Sequence, residues 1–156
     1  MKKLQGQVYL AEPKDVPSLL EAVGPLKRSS DYVTRNASRE VWKRLRKSRR
    51  FWRLPDEFLA VLGEKGQVLA VGRICVFENG GVLEGVLGRG VKLPHANPKD
   101  AAALLEAGLK RLQKKGARKI YFFKPHESRW IPERHRFKKE SETHKGVLYA
   151  LEGERT

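Results

Sequence analysis

Cysteine is almost missing from this chain: Cys75 is the only one in 156 residues. A single thiol forms no intrachain disulfide, which excludes a crosslinked scaffold and suits a reducing compartment. Cys75 sits in an apolar, strand-like run and reads as an inert core thiol. Long apolar runs are missing too, and none approaches the ~18 residues of a membrane span. The opening Met-Lys-Lys-Leu-Gln-Gly-Gln lacks the apolar core of a secretory signal. His95, His126, His135 and His144 stand at no metal-ligand spacing to one another or to Cys75, so no metal is expected. These absences leave a cytoplasmic protein, expected as a single domain over residues 1–156 that buries a core without crosslinks.

Acids are scarce relative to bases. Thirty-three Lys and Arg against eighteen Asp and Glu leave a formal charge of +15, with a pI near 10.2. Such a field favours anionic partners: nucleic acid, the ribosome, an acidic protein or a phosphorylated cofactor. A surface built on ion-pair networks would need more acids than this.

The pattern alternates strands and helices. Residues 5–12 read as a strand, and Val16, Leu19, Leu20 and Val23 recur at helical spacing until Gly24-Pro25. Ser38 is placed to cap a second helix that carries Val41, Leu45 and Trp52 on one side and ends at Leu54-Pro55-Asp56. Three strands follow over 57–62, 67–77 and 82–91, joined by Gly63-Glu64-Lys65-Gly66 and Glu78-Asn79-Gly80-Gly81, both hairpin-type turns. Gly88-Arg89-Gly90 marks a bulge or edge within the third. Asn97-Pro98-Lys99-Asp100 opens the clearest helix: Asn caps, Pro suits the first position, and Asp complements the dipole. Leu104, Leu105, Gly108, Leu109 and Leu112 form its buried stripe, and Lys114-Lys115-Gly116 closes it. A strand over 118–124, a short helical stretch near 127–134 and a strand over 146–151 complete an α/β domain with helices on both faces of a mixed sheet.

The run from Trp42 to Arg53 concentrates cations beside aromatics. Lys and Arg meet phosphates, and planar bases stack on aromatic rings or guanidinium. Arg46, Lys47, Arg49, Arg50 and Trp52 are the candidate contacts to nucleic acid, the ribosome or an acidic partner. A solvated helix with Trp42 and Trp52 in the core explains the same run.

The element order, with three antiparallel strands feeding a long helix and then a parallel strand, resembles the GNAT acetyltransferases. Val8 to Leu20 is similar to the family's opening strand and first helix. Ala103 to Leu112 with Lys115 to Tyr121 is similar to its central helix and fifth strand. Glu133-Arg134-His135-Arg136-Phe137 resembles its Tyr-Glu-Arg-Leu-Gly-Phe segment. The resemblance implies a mixed, mostly antiparallel GNAT-like sheet and an acetyl-CoA-dependent N-acetyltransferase acting on an amine of an anionic acceptor. It places the pantetheine arm on the edge of the fourth strand, near Val91 and Leu93, and the diphosphate at the helix start, on Lys99, Ala101 and Ala102. Glu84 falls where the family often has its general base, and apolar Leu83 and Val86 beside it favour a raised pKa. An outward-facing carboxylate on an alternating strand is the other reading of Glu84. The family's loop glycines align with Asn97 and Lys99, with Ala101 at the last position. Its Tyr acid aligns with Pro132, and an Asn after the fifth strand with Pro125. Asn97 and Asp100 are themselves able to satisfy the first amides of the helix. Without the transferase chemistry, the same fold is a basic protein that binds nucleic acid, the ribosome or a protein partner.

Overall fold

A computed structural model describes residues 1–24, 51–53, 55–88, 90–94, 96–126, 130–144 and 146–153. Among these, ten strands form one sheet: β1 (Lys2–Gln5), β2 (Val8–Leu10), β3 (Phe51–Arg53), β4 (Glu57–Leu62), β5 (Val68–Asn79), β6 (Val82–Leu87), β7 (Val91–Lys92), β8 (Lys119–Pro125), β9 (Lys138–Thr143) and β10 (Gly146–Glu152). Helix α1 covers Val16–Ala22 and α2 covers Pro98–Lys114. The strands run in the order β1-β2-β4-β5-β6-β8-β10-β9, with β3 and β7 also paired to β5. Every pairing is antiparallel except β6 with β8. This is the mixed, mostly antiparallel sheet expected from the sequence.

Alternation along the strands sorts the core onto two faces. Leu59, Val61, Ile74, Leu87, Ile120, Phe122 and Tyr149 pack under α2 with Leu104, Leu105, Leu109 and Leu112. On the opposite face Leu19 of α1 and Val23 just after it cover Ala60 and Val71, while Cys75, Phe77, Tyr121, Phe123 and Leu148 form a second cluster. Cys75 is buried there, as its apolar setting implied. Gly116, at φ +88°, turns the chain out of α2, a backbone state that only glycine adopts at little cost.

Several segments depart from the sequence expectation. The first strand is a hairpin, since the chain reverses at Gly6 and pairs Lys2 with Leu10. Phe51–Arg53 is a strand laid on β5, with Trp52 opposite Glu78, and not the end of a helix. The remainder of that helix, with Arg46, Lys47, Arg49 and Arg50, lies outside the described residues. The described residues of the stretch near 127–134 form a 3-10 turn over Pro132–His135. Strand β9, of sequence Lys-Lys-Glu-Ser-Glu-Thr, has no apolar alternation to announce it.

Candidate active site

The strand expected over 82–91 is interrupted. Ile74 pairs with Leu87 and Val71 with Val91, so three steps along β5 stand against four on the other side. This extra residue is a bulge between Leu87 and Val91, and it bends the strand. The Gly88 amide donates to the Arg73 carbonyl at 2.9 Å, and a Cβ on Gly88 would collide with that same oxygen. At Gly90 a Cβ would stand 2.5 Å from Leu104 Cδ2. Both glycines are therefore required by close approach, and neither forms a phosphate loop.

The bulge has a consequence for β8. Parallel pairing runs through Glu84–Lys119, Gly85–Ile120 and Val86–Tyr121 and then stops. Beyond that point β7 stays with β5, while β8 continues to Pro125 paired only with β10. The two strands part, and among the described residues neither facing edge has a partner. Leu93 donates its amide to Leu69 of β5 at 2.9 Å. In an antiparallel ladder the direction alternates, so Val91 also points at β5 and Lys92 between them points its amide and carbonyl into the gap. The edge group that sequence reasoning placed at Val91 and Leu93 thus belongs to Lys92. No periodicity in the sequence marks it, because a one-residue bulge decides it. The Lys92 ammonium holds the following loop by donating to the carbonyls of Ala96 at 2.9 Å and Leu93 at 3.3 Å.

Glu84 stands two residues before the divergence, opposite Phe77 on β5 and Lys119 on β8, on the face away from α2. It is half-buried, and its Oε2 is shut from solvent with no hydrogen-bond partner. An outward, solvated carboxylate is not what the fold produces here. Burial raises its pKa; Lys119 opposes this, and Glu152 adds to it. Lys119 is committed elsewhere, to Glu140 at 2.9 Å and Glu152 at 3.6 Å, with its ammonium 5.1 Å from the centre of the Tyr121 ring. The two acids hold the cation off Glu84 and leave a carboxylate oxygen able to accept a proton.

The start of α2 has no free donors. Asn97 Oδ1 accepts from the Lys99 amide at 3.0 Å, and Asp100 Oδ2 accepts from the Asn97 amide at 3.0 Å. Asp100 donates its own amide to the Asn97 carbonyl at 2.9 Å, and Pro98 has none to give. From Ala101 onward the amides enter the helix's own ladder. The four groups that a helix N-terminus normally offers to an anion are accounted for. Asp100 adds negative charge where a diphosphate would lie. Lys99 is exposed, and Ala101 and Ala102 are half-buried in the first turn. The residues present therefore do not fit the diphosphate of coenzyme A, although the open strand edge fits a pantetheine arm.

The segment after β8 carries a second departure. Pro132 is buried at the start of the 3-10 turn, and Arg136, in the place of the family glycine, ends it at φ +68°. Here an arginine holds the left-handed conformation that the family's glycine would hold without strain. Tyr149 on β10 points its hydroxyl at the adjacent Glu133, donating at 2.5 Å. That bond pushes its pKa up to about 12, so the phenol stays protonated. Trp130 packs edge-on against Phe122 and stacks on His135 at 4.8 Å. His126 lies 3.0 Å from the Thr143 carbonyl. Among the described residues no group of His, Cys, Asp and Glu is placed to hold a metal.

Known structures share this architecture. An N-acetyltransferase from Staphylococcus aureus aligns over 93% of this chain and 96% of its own, with a TM-score of 0.54 at 14% identity. The PaiA N-acetyltransferase of Thermoplasma acidophilum, solved in complex with coenzyme A, aligns over 94% and 99%, with a TM-score of 0.50 at 14% identity. A protein assigned as an acetyltransferase from Exiguobacterium aligns over 93% and 91%, with a TM-score of 0.57 at 16% identity. No protein-family model and no curated protein matches the sequence. At these identities the likeness speaks to architecture, and on that ground the chain has the GNAT N-acetyltransferase fold.

Proposed function

We propose that this protein is an N-acyltransferase that moves an acyl group from a thioester to an amine, working in the cytoplasm on an anionic acceptor. One observation carries the reading. The bulge between Leu87 and Val91 opens β7 from β8 directly beside Glu84, a half-buried carboxylate with an unpartnered oxygen. In this reading the Lys92 backbone pairs with an extended arm laid in the gap, as an added strand would. Glu84 takes the proton that an attacking ammonium must lose, and its raised pKa brings it nearer the range a general base needs. Pro132 supplies no proton, so the departing thiolate draws its proton from water. Acetyl-CoA is the donor that the resemblance implies, but its phosphate end has no matching cradle at α2. The net charge of +15 draws in the acceptor.

Kinetics of the Glu84→Gln variant test the role of the base. Turnover is expected to fall about 10²-fold or more while thioester binding stays within about twofold. Unchanged turnover removes Glu84 from the chemistry.

A second reading is favoured by the spent helix cap: a basic protein that keeps the fold and binds nucleic acid or the ribosome through Arg46, Lys47, Arg49, Arg50 and Trp52. Exposed Lys110, Lys114, Arg118, Arg134 and Lys138 form no ion pair among the described residues and extend the field. It requires polyanion affinity that falls steeply with salt and weakens when the 46–50 run is neutralised. Salt-independent binding contradicts it.

A further inference from the structure

We infer that the acyl donor is a thioester on the pantetheine arm of an acidic carrier protein, and not free coenzyme A. The inference rests on the transferase reading and deepens it by naming the donor.

Two ends of the cleft point in different directions. The inner end keeps what a pantetheine arm needs: an open edge with the amide and carbonyl of Lys92 facing it, and Glu84 beside the point where the strands part. At the outer end a diphosphate would find every early amide of α2 engaged by Asn97 or Asp100, and a carboxylate in its place. Coenzyme A carries several phosphate charges at that end and depends on such amides. An arm borne by a protein ends in one phosphodiester, and its recognition passes to the surface of the carrier. Because β8 runs parallel to β6, its C-terminal end with half-buried Lys124 lies toward the same end of the sheet as the start of α2 with exposed Lys99. Neither forms an ion pair among the described residues. With a net +15 behind them, the complement is an acidic protein surface.

The transfer balances without a redox partner. The carbonyl carbon–sulfur bond of the thioester breaks as a carbon–nitrogen bond to the acceptor amine forms. Glu84 takes the proton that the ammonium gives up. The thiolate remains on the arm of the carrier, and the second proton, lost from the nitrogen as the amide forms, reaches it through water.

Calorimetric titration of the full chain with four probes tests this: coenzyme A, pantetheine, a bacterial acyl carrier protein bearing its phosphopantetheine arm, and the same carrier with a bare serine. The armed carrier is expected to bind at least tenfold more tightly than coenzyme A and than the bare carrier. Replacing the cap, Asn97→Gly with Asp100→Ala, frees the amides of Asn97 and Lys99. It is expected to raise coenzyme A affinity at least fivefold and to change that of the armed carrier less than twofold. Coenzyme A binding the unsubstituted chain as tightly as the armed carrier overturns the donor assignment and leaves the transferase reading standing. So does equal binding of armed and bare carriers alongside tight coenzyme A. If none of the four probes binds, both readings fall.

Discussion

Glu84 on β6 and Tyr149 on β10 both have raised pKa values, one from burial without a partner and one from a hydrogen bond. Glu84 gains burial without a partner, so its charged form is the disfavoured one. A carboxyl whose pKa is raised on folding contributes stability at low pH, where it is neutral, and loses it as the pH rises through the raised value. Glu84→Gln should therefore stabilise the fold near pH 7, by about 1 kcal/mol for a partly buried unpaired group. The difference should vanish below the ordinary carboxylate range; chemical denaturation at several pH values reads it. Tyr149, by contrast, has a partner. Its bond to Glu133 exists while the phenol is protonated, so the stabilisation holds below the ordinary tyrosine pKa and is lost as the pH rises through about 12. It should ionise late in an ultraviolet titration, near pH 12, and Tyr149→Phe should remove that late step. The phenylalanine should cost about 1 kcal/mol at neutral pH, held to that size by the exposed carboxylate. Glu84 was legible as a candidate because the family resemblance implies a base on that strand, and apolar Leu83 and Val86 nearby favour a raised pKa. Tyr149 was not, since its partner is sixteen residues away across a turn.

At the scale of elements, α2 was the most readable part of the chain. Asn97, Pro98 and Asp100 occupy the N-cap, first and third helical positions, and the reciprocal bonds formed are those the residue types imply. Asn97→Ala should destabilise the protein by about 1 kcal/mol, while Asn97→Ser should restore most of the loss. A thermal melt of the pair separates the cap from general disruption. Elements set by long-range pairing were less readable. β3 is fixed by the reach of β5 to Asn79, and the local run of cations and aromatics gives no sign of it. β9 is an edge strand of charged and hydroxyl residues. It has one partner and no buried face, so its sequence lacks the alternation that betrays a strand. The bulge was foreshadowed by Gly88 and Gly90, but not its effect, which is to hand the open edge to Lys92.

Across the whole molecule, charge and fold carry different kinds of information. The alternation of apolar residues builds the mixed sheet, and the overall fold is similar to that of acetyltransferase structures at 12–16% identity. The net charge belongs to this chain, and ten of its cations lie between residues 25 and 50 against two acids. A field of that size speaks to partners and association rates, not to architecture. The central claim, that the gap between the diverging strands receives an acyl-bearing arm, is open to direct observation. Isotope-labelled protein titrated with acetyl-pantetheine should show amide shift changes at Lys92 and along Phe122–Lys124, with a matching change at the Glu84 side chain. Those residues unmoved at saturating ligand, or shifts confined to distant surface amides, would contradict it.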